Sequence, residues 1–180
     1  MSVLVREATP SDLDRLLLTE REAFGGPAEA EIVRAVQDAE GSFGLVAEDD
    51  GMVVGHVQLS RAWIGSDPVL SLGPISVLPA RQGRGIGSSL VVAALAEARK
   101  HGEIAVILLG SPAFYPRFGF LTGASFGLRN PFTGTREDGF VVAEEDFMVA
   151  PLADEAGSLA GPVRWHKAFG GPVEASDAPR

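Results

Sequence analysis

The 180 residues contain no cysteine. This rules out disulfides, thiolate metal sites and a cysteine nucleophile, and with it any ping-pong route through an acyl-cysteine. Positive charge is scarce as well. Fifteen Lys and Arg stand against 24 Asp and Glu, a formal net charge of −9. No general nucleic-acid surface is expected, because such surfaces work by neutralising phosphates. One small anionic ligand at a local basic spot remains compatible with that balance. The three histidines, His56, His101 and His166, lack ligand spacing, so no metal site is expected. The apolar runs Val91–Ala96 and Ile104–Leu109 are far too short to span a bilayer. The segment from Met1 to Glu7 has neither a basic region nor a long apolar stretch, so no signal peptide and a cytoplasmic location are expected.

Apolar residues make up 46% of the chain, enough for a sizeable core. The length suits one domain over residues 1–170, with a frayed, flexible tail at 171–180. Val3–Arg6 reads as a strand. Thr9-Pro10-Ser11-Asp12 starts a helix, with Thr9 as N-cap, and Gly25-Gly26-Pro27 ends it. A second helix is expected over Glu29–Ala39. Phe43–Glu48 and Met52–Ser60 are strands joined at Asp49-Asp50-Gly51, a hairpin signal. Val69–Val77 is a strand broken by Gly73-Pro74, and proline cannot donate to a ladder, so a bulge or unpaired stretch is expected there. A helix over Gly83–His101, a central strand at Ile104–Leu109, a short helix at Pro112–Phe118 and late strands within Phe140–Leu152 and Gly161–Phe169 complete the pattern. This order gives a mixed sheet with helices on its faces, α/β or α+β.

Most of the chemical information lies in Val77–Leu90. A strand ends near Pro79, glycines follow at positions 83, 85 and 87, and an apolar-striped helix starts at once. First-turn amides with no internal partner, backed by the helix dipole, make an anion seat suited to a pyrophosphate, and Arg81 and Arg84 add charge. A P-loop would need Lys-Ser or Lys-Thr, which is absent. A dinucleotide fingerprint would need glycine where Ser88 stands and an acid after the next strand, where Gly110-Ser111-Pro112 occurs. The spacing Gln82-x-x-Gly85-x-Gly87 remains, and the same glycines would also let a helix pack close to a sheet.

With Val77-x-Pro79 before it, that spacing resembles the acetyl-CoA pyrophosphate loop of the GNAT superfamily of N-acetyltransferases. Tyr115-Pro116-Arg117-Phe118-Gly119-Phe120 resembles the family's Tyr-x-x-x-Gly-Phe signature, and Arg6–Asp12 resembles a GNAT opening. The resemblance implies a mixed, mostly antiparallel central sheet with a β-α-β acetyl-CoA-binding core and helices on both faces. It implies acetyl transfer from acetyl-CoA to a primary amine of a small molecule or peptide, by direct attack in a ternary complex. Gln82, Gly83, Arg84, Gly85, Ile86, Gly87 and Ser88 would hold the pyrophosphate, and Ile75, Ser76 and Val77 the pantetheine arm. A homodimer is compatible with the resemblance; no membrane partner is expected.

Tyr115, the only tyrosine, stands where the family often places its general acid. A phenol of pKa about 10 can protonate a thiolate whose conjugate acid has pKa near 8.5. Many members carry a glutamate on the strand matching Val69–Val77; this chain has no acid there. Glu20 and Glu22 at the end of the first helix, and His56, are the candidate bases, each equally compatible with a purely structural role. A module that binds acyl-CoA without turnover, and transfer of a longer acyl group, remain alternatives. Gly123-Ala124-Ser125-Phe126-Gly127 matches a hydrolase elbow, with Asp138 and His166 following, but lacks the strand–helix context. Glu48-Asp49-Asp50 is read as a solvated turn, and Trp63 and Trp165 as core or pocket wall. Net negative charge favours cationic acceptors such as polyamines, aminoglycosides or basic peptide ends.

Overall fold

The computed structural model describes residues 3–130, 132, 134–135 and 141–170. The expected tail at 171–180 lies outside them, as do Asp138 and Phe140. Strands β1 (Leu4–Glu7), β2 (Phe43–Asp49), β3 (Met52–Ile64), β4 (Asp67–Val77) and β5 (Ala105–Leu109) lie side by side in that order. The sheet continues through a late strand at Phe147–Pro151 to an edge strand at Leu121–Thr122. In chain order the edge strand is β6, Gly134–Thr135 and Val141–Val142 are β7 and β8, the late strand is β9, and Val163–Arg164 is β10, which pairs with the far end of β3. Only β4 and β5 run parallel; the other pairings are antiparallel.

Local chemistry explains the elements. The β2–β3 turn is Asp50-Gly51, both at positive φ (51° and 78°), as a tight two-residue hairpin requires. β3 and β4 run further toward each other than expected, because Arg61–Ile64 keep the alternation of half-buried and buried residues up to a two-residue turn. Helix α1 (Leu13–Phe24) follows a 3₁₀ turn at Pro10–Asp12, and α2 (Ala28–Val36) ends earlier than expected. Helix α3 (Ile86–Lys100) begins three residues later than expected, because Gly83 and Gly85 belong to the preceding loop.

The helices cover opposite faces. Leu90, Val91, Ala94 and Leu95 of α3 pack on Leu45, Val57, Leu59 and Leu70. Leu16 and Leu17 of α1 with Val33 of α2 pack on Val46 and Val53, the alternate residues of the strands. Each such side chain contributes about 1.5–3 kcal/mol when buried. Where α3 approaches the sheet, Gly55 makes room: a Cβ there would lie 3.0 Å from Ser76 O and 3.2 Å from Leu90 Cδ1.

At Gly73-Pro74 the register between β3 and β4 shifts by one residue, from Leu59↔Leu72 to Val57↔Ile75. This is the bulge expected from the proline. Before it, Leu70 and Ser71 pair with Val106 and Ile107 of β5. Beyond it, Ile75, Ser76 and Val77 pair with β3 alone among the described residues. The two parallel strands part there, and one edge of β4 stands open.

Candidate active site

The loop after β4 is held by its own groups. Leu78 donates its amide to Val54 O (2.9 Å), and Gln82 donates Nε2 to Val77 O (3.0 Å). Gly83 and Gly85 take φ of 74° and 80°, a region closed to most side chains. The amides of Ile86, Gly87 and Ser88 open α3 and have no helical acceptor, whereas Ser89 N already bonds Gly85 O (3.0 Å). Gly87 differs from the other two. Its backbone is helical, and a Cβ there would meet only Val77 Cγ2, at 3.9 Å. Neither conformation nor internal packing asks for glycine at 87. Close helix–sheet packing, the other role open to these glycines, falls to Gly55. Gly87 instead leaves space for a group from outside the chain to reach the free amides.

A cavity of about 390 Å³ lies over this loop, lined by Val77, Gln82, Gly83, Gly85, Ile86, Gly87 and Ser88, with Phe114 and Arg117 opposite. The charges differ from expectation. Arg81 borders the cavity but pairs with Asp49 (2.5 Å), so Glu48-Asp49-Asp50 is no solvated turn: Asp49 is buried. Arg84 is exposed and does not line the cavity. Arg117 takes the place facing the loop, its guanidinium 5.0 Å from the Phe114 ring centroid. Its position inside the Tyr115–Phe120 motif was the available clue.

Ile75 lines a neighbouring cavity of about 340 Å³, and Tyr115 lines it from the opposite wall. Val77 and Phe114 do the same for the loop cavity. The two cavities are therefore the ends of one trough along the open edge of β4. The Ser76 side chain faces away from it, leaving only its main chain toward the trough. The Tyr115 ring is held edge-to-face by Phe114 (5.0 Å) and Phe120 (5.7 Å). A Cβ on Gly110 would overlap that ring, so the glycine after β5 sets where the phenol lies. Burial pushes the Tyr115 phenol up from its usual 10.0, and no described residue hydrogen-bonds its hydroxyl.

The rest of the second cavity comes from scattered segments. The Gly25–Pro27 break turns α1 into α2 and brings Phe24 and Glu29 to its rim; Leu72, Gly73 and Pro74 form its floor, and Phe132, Trp165 and Phe169 close it. None of the added side chains carried a local motif. The candidate bases are not among its lining residues. Glu22 is exposed on α1. His56 is fully buried, with Nδ1 bonded to Glu20 Oε1 (2.6 Å). Ser76 Oγ donates to the same Glu20 oxygen (2.7 Å). Glu20 Oε2 and His56 Nε2 are buried without partners. His56 borders a separate cavity of about 360 Å³ near Thr9, Val33 and Ser42. The cluster pins α1 to β3 and β4.

The hydrolase elbow does not form. Gly123–Phe126 is a 3₁₀ turn, and Ser125 bonds Thr122 (Oγ···Oγ1 3.0 Å). His166 Nδ1 accepts from Ala168 N instead (3.2 Å). Among the described residues no helix is long and apolar enough to cross a membrane.

A mixed sheet that splays at a bulged strand, with unpartnered helix amides at one end of the splay and a buried phenol at the other, defines an α+β protein built to hold a long ligand with a phosphate-bearing end. The chain belongs to the Acetyltransferase (GNAT) family, which matches residues 12–120. It is similar to the uncharacterized N-acetyltransferase YhbS of Escherichia coli strain K12, 33% identical over 172 residues, 93% of this chain and 98% of that protein. The crystal structure of Escherichia coli YhbS in complex with CoA matches with a TM-score of 0.80 and 33% identity, over 93% of this chain and 92% of that one. A Brucella melitensis GNAT family acetyltransferase in complex with acetyl-CoA matches with a TM-score of 0.74 and 32% identity, over 93% and 98% of the two chains.

Proposed function

We propose that this chain transfers the acetyl group of acetyl-CoA to a primary amine, by direct attack within a ternary complex. The observation that carries this reading is the trough: space without a Cβ at Gly87 beside the free amides of Ile86–Ser88, continuous with the open edge of Ile75–Val77, ending at Tyr115. The crystal complexes of two relatives with CoA and acetyl-CoA support it.

When bound, acetyl-CoA supplies an acetyl group already activated as a thioester. Ile86, Gly87 and Ser88 hold the diphosphate with main-chain amides, and Arg117 adds a charge opposite them. Main-chain groups of Ile75–Val77 pair with the pantetheine arm as a further strand would. Tyr115 protonates the departing sulfur. Its raised phenol pKa keeps the proton in place through neutral pH, as a general acid requires. With no cysteine in the chain, attack is direct.

Thiol release from acetyl-CoA across a panel of primary amines tests the reading. Turnover should follow intersecting rather than parallel double-reciprocal plots. Tyr115→Phe should lower kcat more than about tenfold with the acetyl-CoA KM nearly unchanged. Because the phenol pKa is raised, its proton is lost only above pH 10, and kcat should show no alkaline fall below that. Acetyl-CoA binding with no thiol release for any amine would mean a sensing module instead.

A further inference from the structure

The walls of the Tyr115 cavity select among amines. We propose that its acceptor is a monocationic primary amine on a compact aromatic body, an arylalkylamine, with Glu29 as counter-charge and proton acceptor; this rests on the transferase reading above.

Charge comes first. Among the described residues lining the cavity, Glu29 is the only charged one. One ammonium meets one carboxylate. A second ammonium, as in a polyamine, or several, as in an aminoglycoside, would enter with no partner, and unpaired buried charge is costly. The polar groups of a sugar or a peptide would also find few hydrogen-bonding side chains there. The remaining walls are mostly rings and aliphatic groups. Trp165 lies 6.1 Å from Phe132 and 6.1 Å from Phe169, centroid to centroid. Such a fan of rings holds an aryl group edge-to-face and attracts an ammonium to its ring faces, tryptophan most strongly. Phe24 at the rim is 47% exposed. A large apolar side chain left open beside an apolar cavity is what a binding mouth shows. At about 340 Å³ the cavity is at the small end of small-molecule sites, which suits a compact body.

Glu29 and Tyr115 line the same cavity, so the protons balance. The ammonium gives one proton to the Glu29 carboxylate and becomes a nucleophile. Its nitrogen bonds the thioester carbon, and the carbon–sulfur bond breaks. Tyr115 gives its proton to the sulfur, and the second nitrogen proton restores the phenol through water. The products are the N-acetylated amine, free thiol and one proton passed from Glu29 to solvent.

The test compares 2-phenylethylamine, n-propylamine, spermidine and kanamycin in the thiol-release assay. Phenylethylamine should exceed propylamine in kcat/KM by about tenfold or more, with spermidine and kanamycin below phenylethylamine. Trp165→Ala should erase most of that ratio and Trp165→Phe should keep it, both with the acetyl-CoA KM unmoved, which shows that the fold survives. Glu29→Gln should raise the amine KM about tenfold at unchanged acetyl-CoA KM. The chain has two tryptophans, so quenching of Trp165 fluorescence, absent in Trp165→Phe, reads phenylethylamine binding without turnover. Quenching without thiol release would overturn the transferase reading and leave this one standing. Spermidine or kanamycin ahead of phenylethylamine, a ratio unmoved by Trp165→Ala, or octanoyl-CoA outrunning acetyl-CoA because the rings hold an acyl chain, would each overturn this inference while leaving acyl transfer intact.

Discussion

The two ends of the trough are built by different means. The loop end uses main chain: free amides, two left-handed glycines and a third glycine that leaves space, nearly all within Gln82–Ser88. The Tyr115 end uses side chains brought from α1, α2, β4, the turn after β5, and the segment ending at Phe169. A main-chain site depends on local conformation and little on what lies behind it. A side-chain site depends on every element that carries a wall. The loop should therefore tolerate damage to the helices over the other face, whereas the Tyr115 cavity should not.

The largest effect should come from the cluster that pins α1. Glu20 and His56 are fully buried, and His56→Leu leaves the Glu20 carboxyl with Ser76 as its one hydrogen-bonding partner among the described residues. Breaking a buried pair from one side costs about 3–5 kcal/mol, so the thermal midpoint should drop by roughly 10 °C. The amine KM should rise, while CoA affinity of the folded protein, measured by calorimetry below the transition, should stay within about twofold. A parallel loss of CoA affinity would mean that the two ends are mechanically one.

Next come two glycines that look alike in sequence. Gly87→Val adds carbon where the chain has none, so the ligand-free midpoint should hardly move. Blocking the free amides should cost the charge-assisted bonds they make, raising the CoA Kd about 100-fold. Gly55→Ala pushes instead against Ser76 O and Leu90. It should lose about 1–3 kcal/mol of stability by overpacking while keeping CoA affinity. Exchange of these outcomes between the two variants would place the anion seat elsewhere.

The same division decided what the sequence disclosed. Gln82–Ser88 is legible because its conformation is encoded by its own residues, and Gly73-Pro74 announces a bulge because proline removes a ladder donor. Tyr115 stood out as the sole tyrosine inside a motif. Glu29, Phe132, Trp165 and Phe169 had no such signal, since the fold alone brings them together. Arg81 misled for a related reason: its charge is claimed by Asp49, far away in sequence, and Arg117 faces the loop instead. Glu22 and His56 were proposed from proximity to the helix turn. The helical period exposes the first, and β3 alternation buries the second against Glu20.

The smallest effect concerns where α1 begins. Arg6 grips Asp12 with both terminal nitrogens (2.8 and 2.9 Å) and reaches Glu48 as well. Asp12 also accepts the Thr9 amide (2.8 Å). Hydrogen bonds from Arg6 hold the Asp12 carboxyl well below its ordinary 3.8. A depressed carboxyl stabilises the fold above its unfolded value, and that contribution is lost as pH falls below 3.8 toward the folded one. Asp12→Asn should therefore cost about 1–2 kcal/mol at neutral pH. The gap to the parent should close between about pH 4 and pH 2, because only the parent has this proton left to bind. Urea midpoints at a series of pH values measure both. A gap that persists unchanged into acid would mean that the loss came from packing around Asn rather than from charge. Since Asp12 lies at the start of the helix whose end carries Phe24, the variant should disturb the amine end before the loop end, in the same order as His56→Leu and at a fraction of its size.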